Sequence, residues 1–429
     1  MRLANDLIAN KRIQSLCEYI LLVILLYQSA GIRKEEHFAL KIIAILIIVA
    51  LYAFFRREEL LQRINLKIGA GCLFLLVLFA GLACLINGFE SFSTYVGVII
   101  QYAIGFFAAA IIPVRTFKVK YFRIMIVLAI GALVVFVIQL FAPSLIQLLP
   151  QYDSGSSTSY YFDAGISAVI ASKGWLPQIV FGNRNSGFCW EPGCYQAFLS
   201  LALAIAFDKC GRAKVLSAKK IFPIILFAVS LITTMSFTAF FLMACIVLAY
   251  WRVCLRIIIL LVEKNKWVKR VFCGVTFVAF VAVVYILITR ISGVMRGDSG
   301  YTLSERINLG EIKYIFVRPD GRLNLLGMSF ADVSQLDVRF GGFANSIIYT
   351  AICLCLLSAV LLLLMNLRAG TLFLYHKWLY FLIAVVSFST EGLFYKIFFT
   401  MIAFMGVFYS RKQKANRVRS VVRDENSVS

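Results

Sequence analysis

The sequence predicts an all-α polytopic integral membrane protein with about twelve transmembrane helices. Three observations lead there. Of 429 residues, 61% are apolar and only 15% are Asp, Glu, Lys or Arg, against roughly 25% charged in an average soluble domain. Apolar runs of the length a bilayer demands, about 17–25 residues, recur along most of the chain. The basic residues fall into alternate connections between those runs. No water-soluble fold hides so much apolar surface, which excludes a soluble enzyme. A net charge of +22 would point to nucleic acid in a soluble protein. Here it asks which membrane face is positive, and no nucleic-acid partner is expected.

Residues 1–141 read as five spans, at about 13–30, 38–55, 68–86, 94–114 and 122–141. The first follows Arg12 and lacks a small-residue cleavage site, so it reads as a span rather than a signal peptide. A long connection follows at 142–186. Residues 187–289 supply four spans, at 187–207, 221–235, 236–262 and 271–289. The third of these is overlong, so part of it is expected at the membrane interface. A second long connection covers 290–344. Residues 345–410 give three spans, at 345–366, 378–394 and 396–410, the last two short, and 411–429 form a basic tail. Of the 43 Lys and Arg, 30 lie in the N-terminus, the tail and the connections that alternation places on their side. The positive-inside rule makes that side cytoplasmic, as an even number of spans also requires. Both long connections then face outward. Connections beyond about 12–15 residues are usually functional or disordered, and the aromatic and Arg content favours function.

The segment Gly182–Ala197, GNRNSGFCWEPGCYQA, is the most informative. Arg184 and Glu191 stand seven apart, two helical turns if the helix starts early, and could face one cavity. Pro192 suits a first helical turn. Gly182, Gly187 and Gly193 permit close backbone approach. Arg184 is a candidate anion clamp and Glu191 a candidate general base. The competing reading is an interfacial salt bridge that pins the helix end. Cys189 and Cys194 are expected as free thiols. The first long connection also carries Tyr152, Tyr160, Tyr161, Phe162, Trp175, Phe181, Phe188 and Trp190. Their density suggests sugar stacking, against an interfacial belt for any one ring. DSGSSTSYYFD could be a mobile lid.

The second long connection holds seven cations, six of them Arg, and six acids. Ordinary surface pairing accounts for most. So many cations on the side normally poor in them still need a reason, and the guanidinium fork suits phosphate oxygens. Arg290, Arg306 and Arg339 are the candidates for a pyrophosphate site. Glu391, between the last two spans, is either an intramembrane functional carboxylate or a helix-end residue near Lys396 in water. Glu18 favours the second kind of reading, near the cytoplasmic end. Thr233, Thr234, Ser236 and Thr238 are expected to satisfy backbone groups at a tight helix reversal. No metal spacing occurs: there is no CxxC, and the two His, at 37 and 376, are far from the Arg-rich loops. There is no internal repeat of the transporter kind.

These residues carry a resemblance. RNSGFCWEPGCYQAFLSLALA from Arg184, LITTMSFTAFF, and the run from Ser304–Ile307 through Asn324–Phe330 to Gly341–Ile352 resemble, in this order and topology, the Wzy-type O-antigen and capsular polysaccharide polymerases of the O-antigen ligase/polymerase superfamily. The resemblance implies a GT-C-like, metal-independent membrane glycosyltransferase of the bacterial inner membrane that needs no cofactor. Its substrate would be undecaprenyl-diphosphate-linked oligosaccharide repeat units, joined at the periplasmic face, with a chain-length regulator as an open further partner. It implies a pyrophosphate or sugar contact for Arg184 and a catalytic or structural carboxylate at Glu191, the two residues expected to be catalytic. It matches Arg306 to the family's second-loop Arg; substrate or pyrophosphate contacts are expected from Arg306 and, on the residues themselves, from Arg290, Arg339, Trp190, Tyr195 and Glu391. O-antigen ligases of the superfamily carry a His before the second-loop Asn. Here Ala344 precedes Asn345 and the loop has no His, which favours a polymerase over the alternative of ligase-type transfer. A lipid-linked glycan flippase, the rival from another class, would want charges deep in several spans.

Overall fold

The computed structural model describes residues 2–30, 38–55, 65–153, 158–163, 167–173, 183–213, 215–264, 309–340 and 345–409. In chain order these form α1 (Arg2–Ala30), α2 (Phe38–Phe55), α3 (Leu66–Ile86), α4 (Phe92–Ile111), α5 (Val114–Phe141), α6 (Pro143–Gln147), four strands, α7 (Pro192–Gly211), α8 (Ala218–Thr233), α9 (Phe237–Ala249), α10 (Trp251–Lys264), α11 (Leu309–Phe316), α12 (Phe330–Phe340), α13 (Ser346–Leu354), α14 (Leu356–Phe373), α15 (Lys377–Thr390) and α16 (Ile397–Phe408). Among the described residues, five helices are long and apolar enough to cross a membrane, or six if the bent pair α9–α10 counts as one span. The chain is therefore a multi-pass helical membrane protein. The expected span at 271–289 lies outside the described residues.

Three of the expected spans take another form. The segment 236–262 breaks at Tyr250, where α9 and α10 meet at 81°. Along α10, Val253 and Ile257 are buried while Arg252 and Arg256 are exposed, so only one face is sealed against the protein. The segment 345–366 breaks at Cys355, whose φ of 73° and ψ of 156° lie in a region otherwise left to glycine. The last expected span is only the twelve residues of α16, and every one is buried. At 1.5 Å per residue, α16 is too short to cross roughly 30 Å of hydrocarbon.

Helices α7 and α16 are the interior of the fold. Eighteen of the twenty residues of α7 are buried, the signature of a helix enclosed on all sides. Small residues bring neighbours close to α16. A Cβ on Gly406 would stand 2.5 Å from Ala369 N in α14, and one on Gly105 of α4 would stand 3.1 Å from Met401 N. Aromatic rings fill the seam with α7: Phe198 lies 5.3 Å from Phe398 and 5.4 Å from Phe399, centroid to centroid.

The first long connection is not a plain loop. It carries α6 and a four-stranded antiparallel sheet in sequential order, β1 (Gln151–Asp153), β2 (Thr158–Asp163), β3 (Ser167–Lys173) and β4 (Asn183–Arg184). TSYYFD is rich in the aromatic and β-branched residues that strands favour. The register shifts between Tyr160 and Tyr161. Of the lid expected over Asp153–Asp163, Asp153 ends β1 and Thr158–Asp163 form β2; 154–157 lie outside the described residues.

The second long connection is docked into the break of the α13–α14 pair. Met328 N–H donates to Ile352 O at 2.8 Å, and Asn324 Nδ2 reaches the same oxygen at 3.3 Å. In an unbroken helix Ile352 O would serve the residue four ahead; here the connection serves it. Gly327, at φ 95°, has no room for a Cβ, which would stand 2.3 Å from Cys353 O. Asn345 caps α13, accepting from Ile347 N and Ile348 N at 3.1 Å each.

Candidate active site at the first turn of α7

The loop before α7 is folded by its own polar residues. Asn185 Oδ1 accepts from Gly187 N at 3.0 Å, and Asn185 N donates to Thr233 O at 3.0 Å. Gly187 has a φ of 56°, and a Cβ there would meet the Tyr195 ring at 2.6 Å. Only glycine makes this turn over this ring. Tyr195 is fully buried beneath it, with Phe188 5.8 Å away. Both rings pack under the loop, and Tyr195, expected as a substrate contact, is enclosed by protein. Cys189 and Cys194 are both buried.

Arg184 ends the sheet. Its backbone is in β4, opposite Ser172, and its Nε donates to Thr234 O at 3.0 Å. The helix starts only at Pro192, so the two-turn helical spacing expected between Arg184 and Glu191 does not exist. A strand and a loop connect them instead. Arg184 reaches the α8–α9 reversal, whose hydroxyls act as the sequence suggests. Thr233 and Thr234 donate to Ser230 O and Leu231 O at 2.8 and 2.7 Å, and Ser236 N donates to Thr234 Oγ1 at 3.4 Å.

Glu191 is the N-cap of α7, yet its carboxylate makes no capping bond. Its Oε1 accepts instead from Trp190 Nε1 at 3.0 Å. Trp190 is held from behind, since its backbone N–H donates to Ala30 O at 3.0 Å. Both side chains are half-buried. A carboxylate fixed by one indole and open on another side has lone pairs to offer a ligand.

The second acid comes from a remote part of the chain. Glu391 follows α15 and is only 5% exposed. A Cβ on Gly193 would stand 1.9 Å from Glu391 Oε1, so the carboxylate occupies the space that glycine leaves. The dipole at the start of α7 favours negative charge there. The Glu391 backbone is also fixed: Ser346 Oγ donates to its carbonyl at 2.6 Å, and Phe394 N donates to Ser346 Oγ at 3.2 Å. Lys396 is 9% exposed, with Nζ 4.5 Å from the centroid of Tyr395. Of the two readings of Glu391, the helix-end residue in water beside Lys396 therefore fails. Both are enclosed, and the cue was an acid and a base in an otherwise apolar run.

The first turn of α7 thus brings together Trp190, Glu191, Gly193 and Glu391. Arg290 and Arg306 lie outside the described residues, and Arg339 falls in α12. Among the described residues no group of three or more His, Cys, Asp or Glu gathers as metal ligands. Glu18 is not a solvated helix end. It is buried and paired with Lys120 at 3.1 Å, and Lys120 also donates to Ser15 O at 2.6 Å. No protein-family model matches the chain, and no curated protein does.

Proposed function

We propose that the chain is a membrane glycosyltransferase that polymerises undecaprenyl-diphosphate-linked oligosaccharide repeat units into O-antigen or capsular polysaccharide. The reading places it in the bacterial inner membrane as a multi-pass protein, with the basic N-terminal connections cytoplasmic and the start of α7 periplasmic. It joins the motif resemblance to one observation: two carboxylates from distant parts of the chain, Glu191 and Glu391, meet the first turn of a fully enclosed helix. That turn follows directly on the loop bearing Arg184.

The chemistry follows from those groups. Glu191 takes the proton from an acceptor sugar hydroxyl. The acceptor oxygen attacks the anomeric carbon of the donor as that carbon's bond to the phosphate oxygen breaks. The electron pair leaves with undecaprenyl diphosphate. Arg184 offsets the charge growing on the leaving group. Trp190 aims Glu191. Glu391 holds negative charge beneath the sugar, where a positively charged anomeric centre develops.

The test is polysaccharide ladder length in a deletion strain of the native host, complemented with wild type, Arg184→Ala or Glu191→Gln at matched membrane levels. Single-repeat products in place of the ladder are the expected result for both variants. Full-length chains left on the lipid carrier would identify a ligase instead. A full normal ladder from both would sink this assignment of the site.

A further inference from the structure

Most aromatic clusters of the fold are sealed. Phe117, Tyr121, Phe198, Phe398, Phe388 and Phe394 are fully buried and serve as core. One series differs. Phe330 at the start of α12, Tyr349 in α13 and Tyr395 in the turn after α15 are each only half-buried. Their centroids lie 6.1 Å apart between Phe330 and Tyr349, and 6.2 Å between Tyr349 and Tyr395. The Tyr349 and Tyr395 planes are 23° from parallel. At that separation the rings do not cover each other face to face, since carbon contacts close at about 3.5–4.0 Å. They form a stepped surface.

The surface is rigid from behind. Tyr95 is buried, packs edge-on to Phe330 at 4.9 Å and donates through its hydroxyl to Met328 O at 3.0 Å. Lys396 sets the other end, over Tyr395. The surface also adjoins the site. Tyr395 is four residues past Glu391 in the same turn, and Tyr349 lies one turn along α13 from Ser346, which binds the Glu391 carbonyl.

We propose that Phe330, Tyr349 and Tyr395 form a stacking platform for the pyranose rings of the acceptor glycan, leading its non-reducing end to Glu191 and Glu391. The electron-rich ring face attracts the polarised C–H groups on one side of a sugar ring. Two-χ aromatic side chains lose little entropy on binding. Rings held by Tyr95 and Lys396 lose less still. The platform rests on the polymerase reading. It assigns the glycan to the face formed by α12, α13 and the 391–396 turn, and leaves the pyrophosphate to the Arg184 loop.

The experiment uses repeat-unit oligosaccharide cut from the host's own polymer, with no lipid attached, and the full-length protein in detergent. Binding is compared for wild type, the double variant Tyr349→Ala with Tyr395→Ala, and the double variant Tyr349→Phe with Tyr395→Phe. The Ala pair is expected to bind about tenfold or more weakly, and the Phe pair within about twofold of wild type. In the complemented strain the Ala pair should give a shortened ladder at normal membrane levels, and the Phe pair a normal one. Wild-type binding by the Ala pair overturns the platform, as does equal loss in both pairs. If Arg184→Ala abolishes the ladder while the Ala pair leaves it full, the platform falls and the polymerase reading stands. If neither shortens it, both fall.

Discussion

The two ends of α7 each hold acid, and they treat it in opposite ways. At the far end Asp208 sits where the helix dipole disfavours a negative charge. It is compensated from every side: Arg212 Nη2 at 2.6 Å, Lys118 Nζ at 3.7 Å and the Tyr375 backbone N–H at 3.2 Å. Lys118 also donates to Phe373 O, tying α5 to the end of α14. At the near end Glu191 has one indole N–H, and the Glu391 carboxylate fills the space beside Gly193. The first arrangement uses charge to join helices. The second uses the helix itself to hold charge and leaves Glu191 half-open. That difference, more than the presence of acids, separates the structural cluster from the candidate site.

The largest break of this comparison is Gly193→Ala. A Cβ placed 1.9 Å from Glu391 Oε1 must drive the carboxylate off the helix start. The ladder should collapse to single repeats while the protein stays in the membrane. A double variant, Gly193→Ala with Glu391→Ala, isolates the cause. It should be no worse than Glu391→Ala alone. A double variant clearly worse would mean that the glycine serves backbone packing and not the carboxylate.

Part of this was legible in the sequence and part was not. Helices α1 to α5 follow from runs of apolar residues, the reversal at Thr233–Ser236 from its hydroxyl cluster, and the importance of Gly182–Ala197 from its glycines, Arg and Glu. The break at Cys355 carries no Pro or Gly. It is imposed by Asn324–Met328 docking from elsewhere, and local propensity does not register such a contact. The same holds for Gly193. Its glycine was visible as a place of close approach, but its neighbour is Glu391, some two hundred residues away. The enclosure of α16 was hidden because an apolar stretch reads alike whether lipid or protein surrounds it. The sheet was masked by Ser and Gly residues that read as loop.

At the far end the prediction is about stability and not chemistry. Asp208→Ala leaves Lys118 and the Tyr375 N–H without their shared acceptor. Arg212 is largely exposed and loses little. The expected cost is about 1.5–3 kcal/mol, as for hydrogen bonds to a charged group. It is read as a lower unfolding temperature in detergent, with the ladder still long at matched protein levels. A lost ladder at normal stability would bring Asp208 into the chemistry and erase the contrast between the ends.

Gly327→Ala probes the docking of the second long connection. At φ 95°, with a Cβ 2.3 Å from Cys353 O, alanine is both strained and obstructed. Roughly 1–3 kcal/mol of strain should appear as easier proteolysis within Leu323–Met328. Activity should fall less than in Gly193→Ala, because the carboxylates stay in place.

The smallest and sharpest effect is expected from Trp190→Phe. The ring volume and its apolar packing largely survive, but the N–H that meets Glu191 Oε1 at 3.0 Å is gone. Glu191 keeps its charge and its place at the helix cap and loses its aim. A hydrogen bond to a charged group contributes about 1.5–3 kcal/mol net, at the low end here because Glu191 is half-exposed, so polymer formation should slow by about tenfold. The Ala30–Trp190 backbone bond is untouched, so stability should hold. Were Trp190→Phe to behave as wild type while Glu191→Gln is dead, Glu191 would need no aiming, and the substrate itself would be what orders it. Were both silent, the near end of α7 would be a helix terminus of the same structural kind as the far one.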